Sequence, residues 1–447
     1  MDLVLAERVP VPFEGDDGGT GELSWGQQSV WQEMEESGVS LAMTAVRELP
    51  PGAEVKEFVT EFAFYLSRYQ AMRTLLRFEP DGRVLQVVER AGSAEIEVYD
   101  AAGHDPADIA AQVGEHYMAK VFDYAHEWPM RWALVRHDGV LTHAVVALAH
   151  HVADPTSAMA MIEDLRDRDP VTGEPPRPPG IQPLEQARRQ QEPPARRQND
   201  AALRYWEEQL RVIPPSMFAA EDPGRRYPGR FWQVDFSSPA LYLALRAVAA
   251  RLGVTTGAVL FAAFSGALSR VIGLDPVALT VTVNTRFRPG LSGAAGPMTQ
   301  LGLCTLQVGE LGFDELVRAA RRRLLVARKH SYYSPLECER VIERVGRERG
   351  VAFDLRCMFN DRRVEEGPIQ TIAGEAEMRA ALAATKADWK EVEGLHQVLM
   401  IHVNDHPAAL EALVQVDTAY AARADIAEVL RRMESMVLDA AVRRAVR

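Results

Sequence analysis

The stretch Ala149-His150-His151-Val152-Ala153-Asp154-Pro155-Thr156-Ser157 sets two imidazoles, a carboxylate and a hydroxyl close together. A histidine side chain has an ordinary pKa near 6.5, so at neutral pH it can take a proton or accept a hydrogen bond. Asp154 followed by Pro155 is a strong helix start. The carboxylate can accept from free backbone N–H groups, and proline at the first helical position gives up no needed donor. Two readings of the stretch stand side by side. In one, Asp154 only caps a helix. In the other, His150 and Asp154, four residues apart across a tight turn, form an imidazole held by backbone beside a structural carboxylate. Ser157 falls in the first turn of the predicted helix with no base placed for it, so it is expected to bond backbone rather than act as a nucleophile. The stretch lacks two histidines four apart, so the zinc-protease helix pattern does not apply.

The elements that must hold these groups are legible on either side. Thr142 to Ala149 is almost continuously apolar and predicts a central strand buried on both faces. Thr156 to Leu165 predicts the helix that follows. Upstream, Val55, Phe58, Val59, Phe62, Leu66 and Tyr69 recur at helical spacing and predict a helix packed on a sheet. Strands are predicted at Arg83 to Val88 and Arg131 to Val135. Downstream, Thr256 to Ile272 predicts a buried helix and Val277 to Val283 a strand. Phe313, Leu316, Ala320, Leu324 and Ala327 mark an amphipathic helix whose other face carries Arg318, Arg321, Arg322, Arg323, Arg328 and Lys329. Strands near 353–359 and 397–403 and a helix near 424–437 complete an α/β mixture.

A chain of 447 residues has room for more than one domain. Prolines cluster between Arg166 and Asp200 together with Arg188, Arg189, Arg196 and Arg197, which predicts an extended linker dividing the chain. The net charge of −13 argues against a non-specific nucleic-acid binder, which would offer basic charge to phosphates. Cys304, Cys338 and Cys357 are odd in number and widely spaced, so neither a disulfide framework nor a zinc ribbon is expected. They read as small core residues. No apolar run approaches the roughly 20 residues of a membrane helix, and the N-terminus shows no secretory leader pattern. A cytoplasmic protein with no membrane partner is the expectation.

The stretch 149–157 resembles the HHxxxDGxS signature of the condensation domains of nonribosomal peptide synthetases and related carrier-protein-dependent acyltransferases. Other segments match in the expected order. Leu23 to Trp31 resembles LSxxQxxLW, Arg68 to Thr74 resembles RHExLRT, and Asp81-Gly82 with Gln86 to Val88 resembles its usual sequel. Trp128 to Arg131 resembles a PLxR segment, Tyr205-Trp206 the opening of the second half, Thr285 to Pro289 the NRxRP segment, and Phe359-Asn360 a late motif. Aligned through Asp154 and Ser157, the family's second, catalytic histidine falls on His150, and His151 becomes its neighbour. The first histidine is replaced by Ala149, and the glycine after the aspartate by Pro155, which has no backbone N–H to offer.

The resemblance implies an α/β protein of two chloramphenicol acetyltransferase-like subdomains in a V-shaped pseudo-dimer with a central tunnel. Residues 1–170 would carry the motif, 171–200 the Pro/Arg-rich linker, and 201–447 the second subdomain. It implies a freestanding acyltransferase of natural-product (antibiotic) biosynthesis. Such an enzyme forms an amide or ester between a carrier-protein-bound acyl thioester and an amine or hydroxyl acceptor, itself a small molecule or held on a second carrier. His150 and Asp154 are then the expected catalytic pair, with His151, Arg286 and Ser157 supporting the site and Arg286 pairing with Asp154. No intrinsic cofactor or metal is implied. The phosphopantetheine arm of an acyl or peptidyl carrier protein, or coenzyme A, enters as part of the substrate. The basic face over 312–329 is either solvated or a docking surface for an acidic carrier protein. Two alternatives differ in class: a non-catalytic recruitment module of the same fold, and a coenzyme A-dependent acyltransferase.

Overall fold

Residues 3–169, 173, 175–218, 227–363 and 372–443 are described in the computed structural model, and they divide between two units. The first is Met1–Arg197 with Asn284–Gln300; the second is Gln198–Val283 with Leu301–Arg447. The second predicted subdomain, 201–447, therefore lends 284–300 to the first.

In the first unit the chain runs β1 (Val4–Glu14), β2 (Gly19–Glu22), α1 (Trp25–Ser37), β3 (Met43–Glu48), α2 (Val55–Arg68), β4 (Thr74–Phe78) and β5 (Val84–Val88). It continues through β6 (Ala91–Asp100), α3 (Pro106–Ala119), β7 (Met130–His137), β8 (Val140–Leu148), α4 (Pro155–Arg166) and α5 (Pro183–Gln190). The main sheet has the order β1-β6-β7-β8-β3 and is mixed, with β6 and β7 parallel and the other neighbours antiparallel. A small antiparallel sheet has the order β2-β5-β4. The apolar stripe of α2 buries Phe58, Phe62 and Leu66, and Phe62 meets Trp132 of β7 with ring centroids 5.2 Å apart. Each such side chain contributes about 1.5–3 kcal/mol on leaving water. The apolar strand β8 lies between β7 and β3. It is internal, but β7 holds the middle of the sheet.

The Pro-rich stretch is not an extended linker where it is described. Its residues 170–172 and 174 lie outside the described residues. Beyond them, α5 starts with Pro183 in its first turn, and the next helix, α6 (Pro193–Leu210), starts on Pro193. Proline disrupts a helix interior but suits the first turn, where its missing N–H has no partner to lose. Helix α5 is fastened into the first unit: Gln190 Oε1 accepts from Trp25 N at 2.9 Å, and just before the helix Gln182 Oε1 accepts from Gln70 N at 2.9 Å. Ahead of it, Gly180 lies against the returning segment 284–300. A Cβ on Gly180 would fall 1.6 Å from the Gly293 carbonyl oxygen. Gly180→Ala is thus expected to force the two backbones apart at roughly 1–3 kcal/mol and lower the melting temperature of the full chain. An unchanged melting temperature would contradict this close approach.

The second unit begins with most of α6 and adds β9 (Phe231–Ser238), α7 (Pro239–Leu252), α8 (Thr256–Ile272), β10 (Val277–Asn284), β11 (Thr299–Leu306), α9 (Phe313–Lys329) and α10 (Pro335–Arg349). It ends with β12 (Cys357–Asp361), α11 (Glu375–Ala381), β13 (Lys386–Glu391), β14 (Leu399–Asn404), β15 (Leu410–Asp417) and α12 (Arg423–Val442). The seven strands lie in the order β11-β10-β12-β14-β15-β9-β13, with β10, β12 and β14 parallel. One face of this sheet, with Phe359, Ile401, Val403 and Val414, joins α7, α8 and α12 in a single core. The strand expected from 353 starts at Cys357, because the Asp354 carboxylate accepts from Arg356 N at 3.1 Å and turns the chain there. No single described helix is long and apolar enough to cross a membrane. The apolar pair α7 and α8, bent by 111°, packs into this core. On α9, Arg318, Arg321, Arg322 and Arg323 are exposed, as helical spacing predicts.

Candidate active site

The chain leaves β8 at Leu148, turns through Ala149 to Ala153, and enters α4 at Pro155. His150 is half-buried, and its Nδ1 lies 2.8 Å from the Ala153 carbonyl oxygen. A carbonyl can only accept, so Nδ1 must carry the ring hydrogen and donate it. Nε2 is left as a lone pair. The turn therefore fixes both the orientation and the tautomer of the imidazole.

Asp154 caps α4. Its Oδ1 accepts from Ser157 N at 2.8 Å, while the Ser157 hydroxyl accepts from Asp154 N at 3.0 Å and donates to Asp154 O at 2.9 Å. Oδ2 accepts from Arg286 Nη1 at 2.7 Å and from Met298 N at 2.9 Å. None of the three groups on the carboxylate is His150. Asp154, grouped with His150 as a catalytic pair on resemblance, is 2% exposed, and its carboxylate bonds Ser157, Arg286 and Met298 instead of His150. Ser157 spends its hydroxyl on the cap, bonding only the Asp154 backbone among the described residues. Ser157→Ala removes one side of this reciprocal cap and is expected to cost about 1 kcal/mol, read as a lower melting temperature. No change would mean that Asp154 alone holds the helix start.

Arg286 reaches Asp154 from a loop that closes on itself: Thr285 N and Oγ1 both donate to Met298 O, at 2.8 and 2.7 Å. Its second terminal nitrogen donates to the carbonyl oxygens of Gly296 and Ala294, at 2.7 and 3.2 Å. Gly296 takes φ +106°, which a residue with a Cβ adopts only under strain. Asn284 accepts from Arg286 N at 3.0 Å and donates to Thr156 Oγ1 at 3.2 Å. Sequence reasoning reached Arg286 but missed Ala153 O, Met298 N and Gly296 O. These are backbone groups, and no side-chain pattern announces them.

His151, next to His150, is packed in the interior. It is 1% exposed, its ring stands edge-on to Tyr124 with centroids 5.2 Å apart, and neither ring nitrogen has a hydrogen-bond partner among the described residues. Burial, helped by the neighbouring His150, pushes its pKa down to about 3. Folding therefore excludes a proton that the unfolded chain takes up below its ordinary 6.5. Stability should fall as pH drops from about 6.5 toward 3, at up to about 1.4 kcal/mol per pH unit. His151→Phe keeps the aromatic contact and is expected to flatten this slope in thermal melts. His402, pushed down to about 4 by burial and Arg362, adds slope of the same sign and remains in the variant. An identical pH profile in the variant would show that His151 is not held neutral.

The three cysteines are buried, and burial raises all of their pKa values, Cys304 to about 12, so none is poised as a thiolate. No cluster of three or more potential metal ligands occurs among the described residues.

A family model described as "Condensation domain" matches residues 19–372. The chain is 28% identical over 266 residues to the nonribosomal peptide synthetase kk1B of Curvularia clavata, which covers 56% of this chain and 2% of that relative's length. Among solved structures, a condensation domain that mediates chain release from the enacyloxin polyketide synthase superposes with a TM-score of 0.71 at 19% identity, covering 96% of this chain and 84% of the other. The X-domain from teicoplanin biosynthesis, in its complex with OxyB, superposes with a TM-score of 0.69 at 15% identity, covering 94% and 93%.

Proposed function

Since the chain belongs to the condensation-domain family and has its chloramphenicol acetyltransferase-like fold, we propose that it transfers an acyl group from a carrier-bound thioester to an amine or hydroxyl acceptor, with His150 as the catalytic residue. The observation that carries this reading is the 2.8 Å bond from His150 Nδ1 to Ala153 O, which reserves Nε2 as an acceptor. As the acceptor attacks the thioester carbonyl carbon, Nε2 takes its proton. A C–N or C–O bond forms, the C–S bond breaks, and the departing thiolate of the phosphopantetheine arm recovers the proton from the imidazolium. Holding two tethered reactants in line supplies much of the rate. Asp154, Ser157 and Arg286 fix the turn that aims the ring. The exposed basic face of α9 has the charge to meet an acidic carrier protein.

The test is intact-protein mass spectrometry of acyl-loaded carrier proteins, offered singly, in pairs and with small amines or alcohols. Transfer from at least one loaded carrier is expected, and coenzyme A thioesters are run in parallel as competing donors. Turnover with coenzyme A donors alone would replace the carrier-dependent reading.

A second reading is favoured by Ala149 and Pro155. Pro155 costs the helix nothing, because the N–H at its first position has no intrahelical partner, but it removes a donor from the turn beside His150. Under that reading the protein recruits a partner enzyme or carrier without turnover. Stable capture of a carrier protein, with no product across a panel of thioesters, would select it.

A further inference from the structure

The face of the seven-stranded sheet opposite its helix-packed core carries Asn360, Arg362 and His402. Asn360 and His402 are directly paired between β12 and β14. Arg362 lies two residues beyond Asn360, hence on the same face, and its N–H extends the ladder to Val403 O at 2.9 Å. Arg362 Nη2 lies 3.3 Å from His402 Nε2, and Asn360 Nδ2 lies 3.0 Å from His402 Nδ1. A guanidinium only donates, so Nε2 is the acceptor. A neutral ring cannot accept at both nitrogens, so Nδ1 carries the ring hydrogen and the Asn360 amide is assigned turned over, its oxygen accepting in place of Nδ2. The ring, with its pKa lowered to about 4, is neutral at pH 7. An exposed arginine is thus anchored by a neutral partner.

Its neighbours are treated differently. Arg356 is bound to Asp354 and Arg363 to Asp361, both in charge-paired contacts. Among the described residues no carboxylate lies within ion-pair distance of Arg362. A guanidinium fixed through one nitrogen, its other donors without a partner among the described residues, is a ready partner for a planar anion. One net positive charge balances a carboxylate and falls short of a phosphate dianion. Beside the triad lie two half-buried apolar side chains, Leu413, paired across strands with His402, and Met400, two residues from it on β14.

We propose that Arg362, steadied by His402 and Asn360, binds the carboxylate of a small organic acid whose apolar body rests on Met400 and Leu413. The proposal draws only on the second unit and stands apart from the condensation reading.

The test titrates the full chain with 1-naphthoate and with its uncharged match, 1-naphthamide, followed by calorimetry or ligand-observed NMR. Naphthoate is expected to bind at least about tenfold more tightly. Arg362→Gln should bring naphthoate down to the level of naphthamide, and Arg362→Lys, which keeps the charge but not the fork, should fall between. Equal binding of the two probes by the unaltered protein, or undiminished naphthoate binding in the Gln variant, overturns the proposal. Should the Gln variant fail to fold, the comparison of the two probes on the unaltered protein decides alone.

Discussion

His150→Ala is expected to lower acyl transfer by about 10²- to 10⁴-fold, the range supplied by a positioned proton acceptor, while leaving the melting temperature nearly unchanged. Among the described residues the ring makes one hydrogen bond, to Ala153 O, from a half-buried position. Its loss from the fold is therefore worth only about 0.5–1.5 kcal/mol. Product formation by carrier-loaded substrate and thermal melting of the same preparations give the two readings side by side. His151→Phe is the control. It removes the adjacent imidazole from a sealed site and should leave transfer largely intact. Full activity in His150→Ala combined with loss in His151→Phe would transfer the catalytic role to the wrong neighbour for this geometry, and the proposed function with it.

The second large effect concerns the pair buried behind the turn. Asp154→Ala removes the acceptor for Ser157 N, Met298 N and Arg286 at once, and leaves a guanidinium that is only 8% exposed without a counter-charge. Breaking a buried ion pair from one side costs about 3–5 kcal/mol, and the lost cap adds about 1 kcal/mol. Transfer activity should fall too, because the turn that carries His150 is no longer fixed. Two further variants separate these contributions. Asp154→Asn keeps a good cap but loses the charge, so it should lie between Asp154→Ala and the unaltered protein. Adding Arg286→Met to Asp154→Ala removes the stranded charge and should recover part of the stability, a non-additivity that neighbours in contact show and distant sites do not. Strictly additive melting temperatures would mean that Asp154 and Arg286 do not act as a pair.

Much of the first unit could be read from residue order alone. The α2 stripe, the apolar run of β8 and the Asp154-Pro155 helix start all appear where spacing and capping chemistry place them. Strand β1 left no such trace. Most of its residues are exposed, and although Val9, Val11 and Phe13 alternate with exposed neighbours, two of those neighbours are prolines, which argue against a strand in sequence. Its pairing with β6 is what makes it a strand. The prolines of 183–194 misled for a related reason: the same residue type that keeps a linker extended also starts helices, and the surroundings select between the two.

The division is sharpest at the site itself. Types and spacing in 149–157 determined that a strand would end, a capped helix would begin, and an imidazole would sit in the turn, because each depends on groups within a few residues. Tertiary structure alone decided that Arg286, 132 residues away, returns with its loop to neutralise Asp154. It also decided that His151 is sealed while His150 Nε2 has no hydrogen-bond partner among the described residues. Local bonds are written in the order of the residues; a buried charge and its partner are matched only when the folded chain brings distant segments together and removes the water between them.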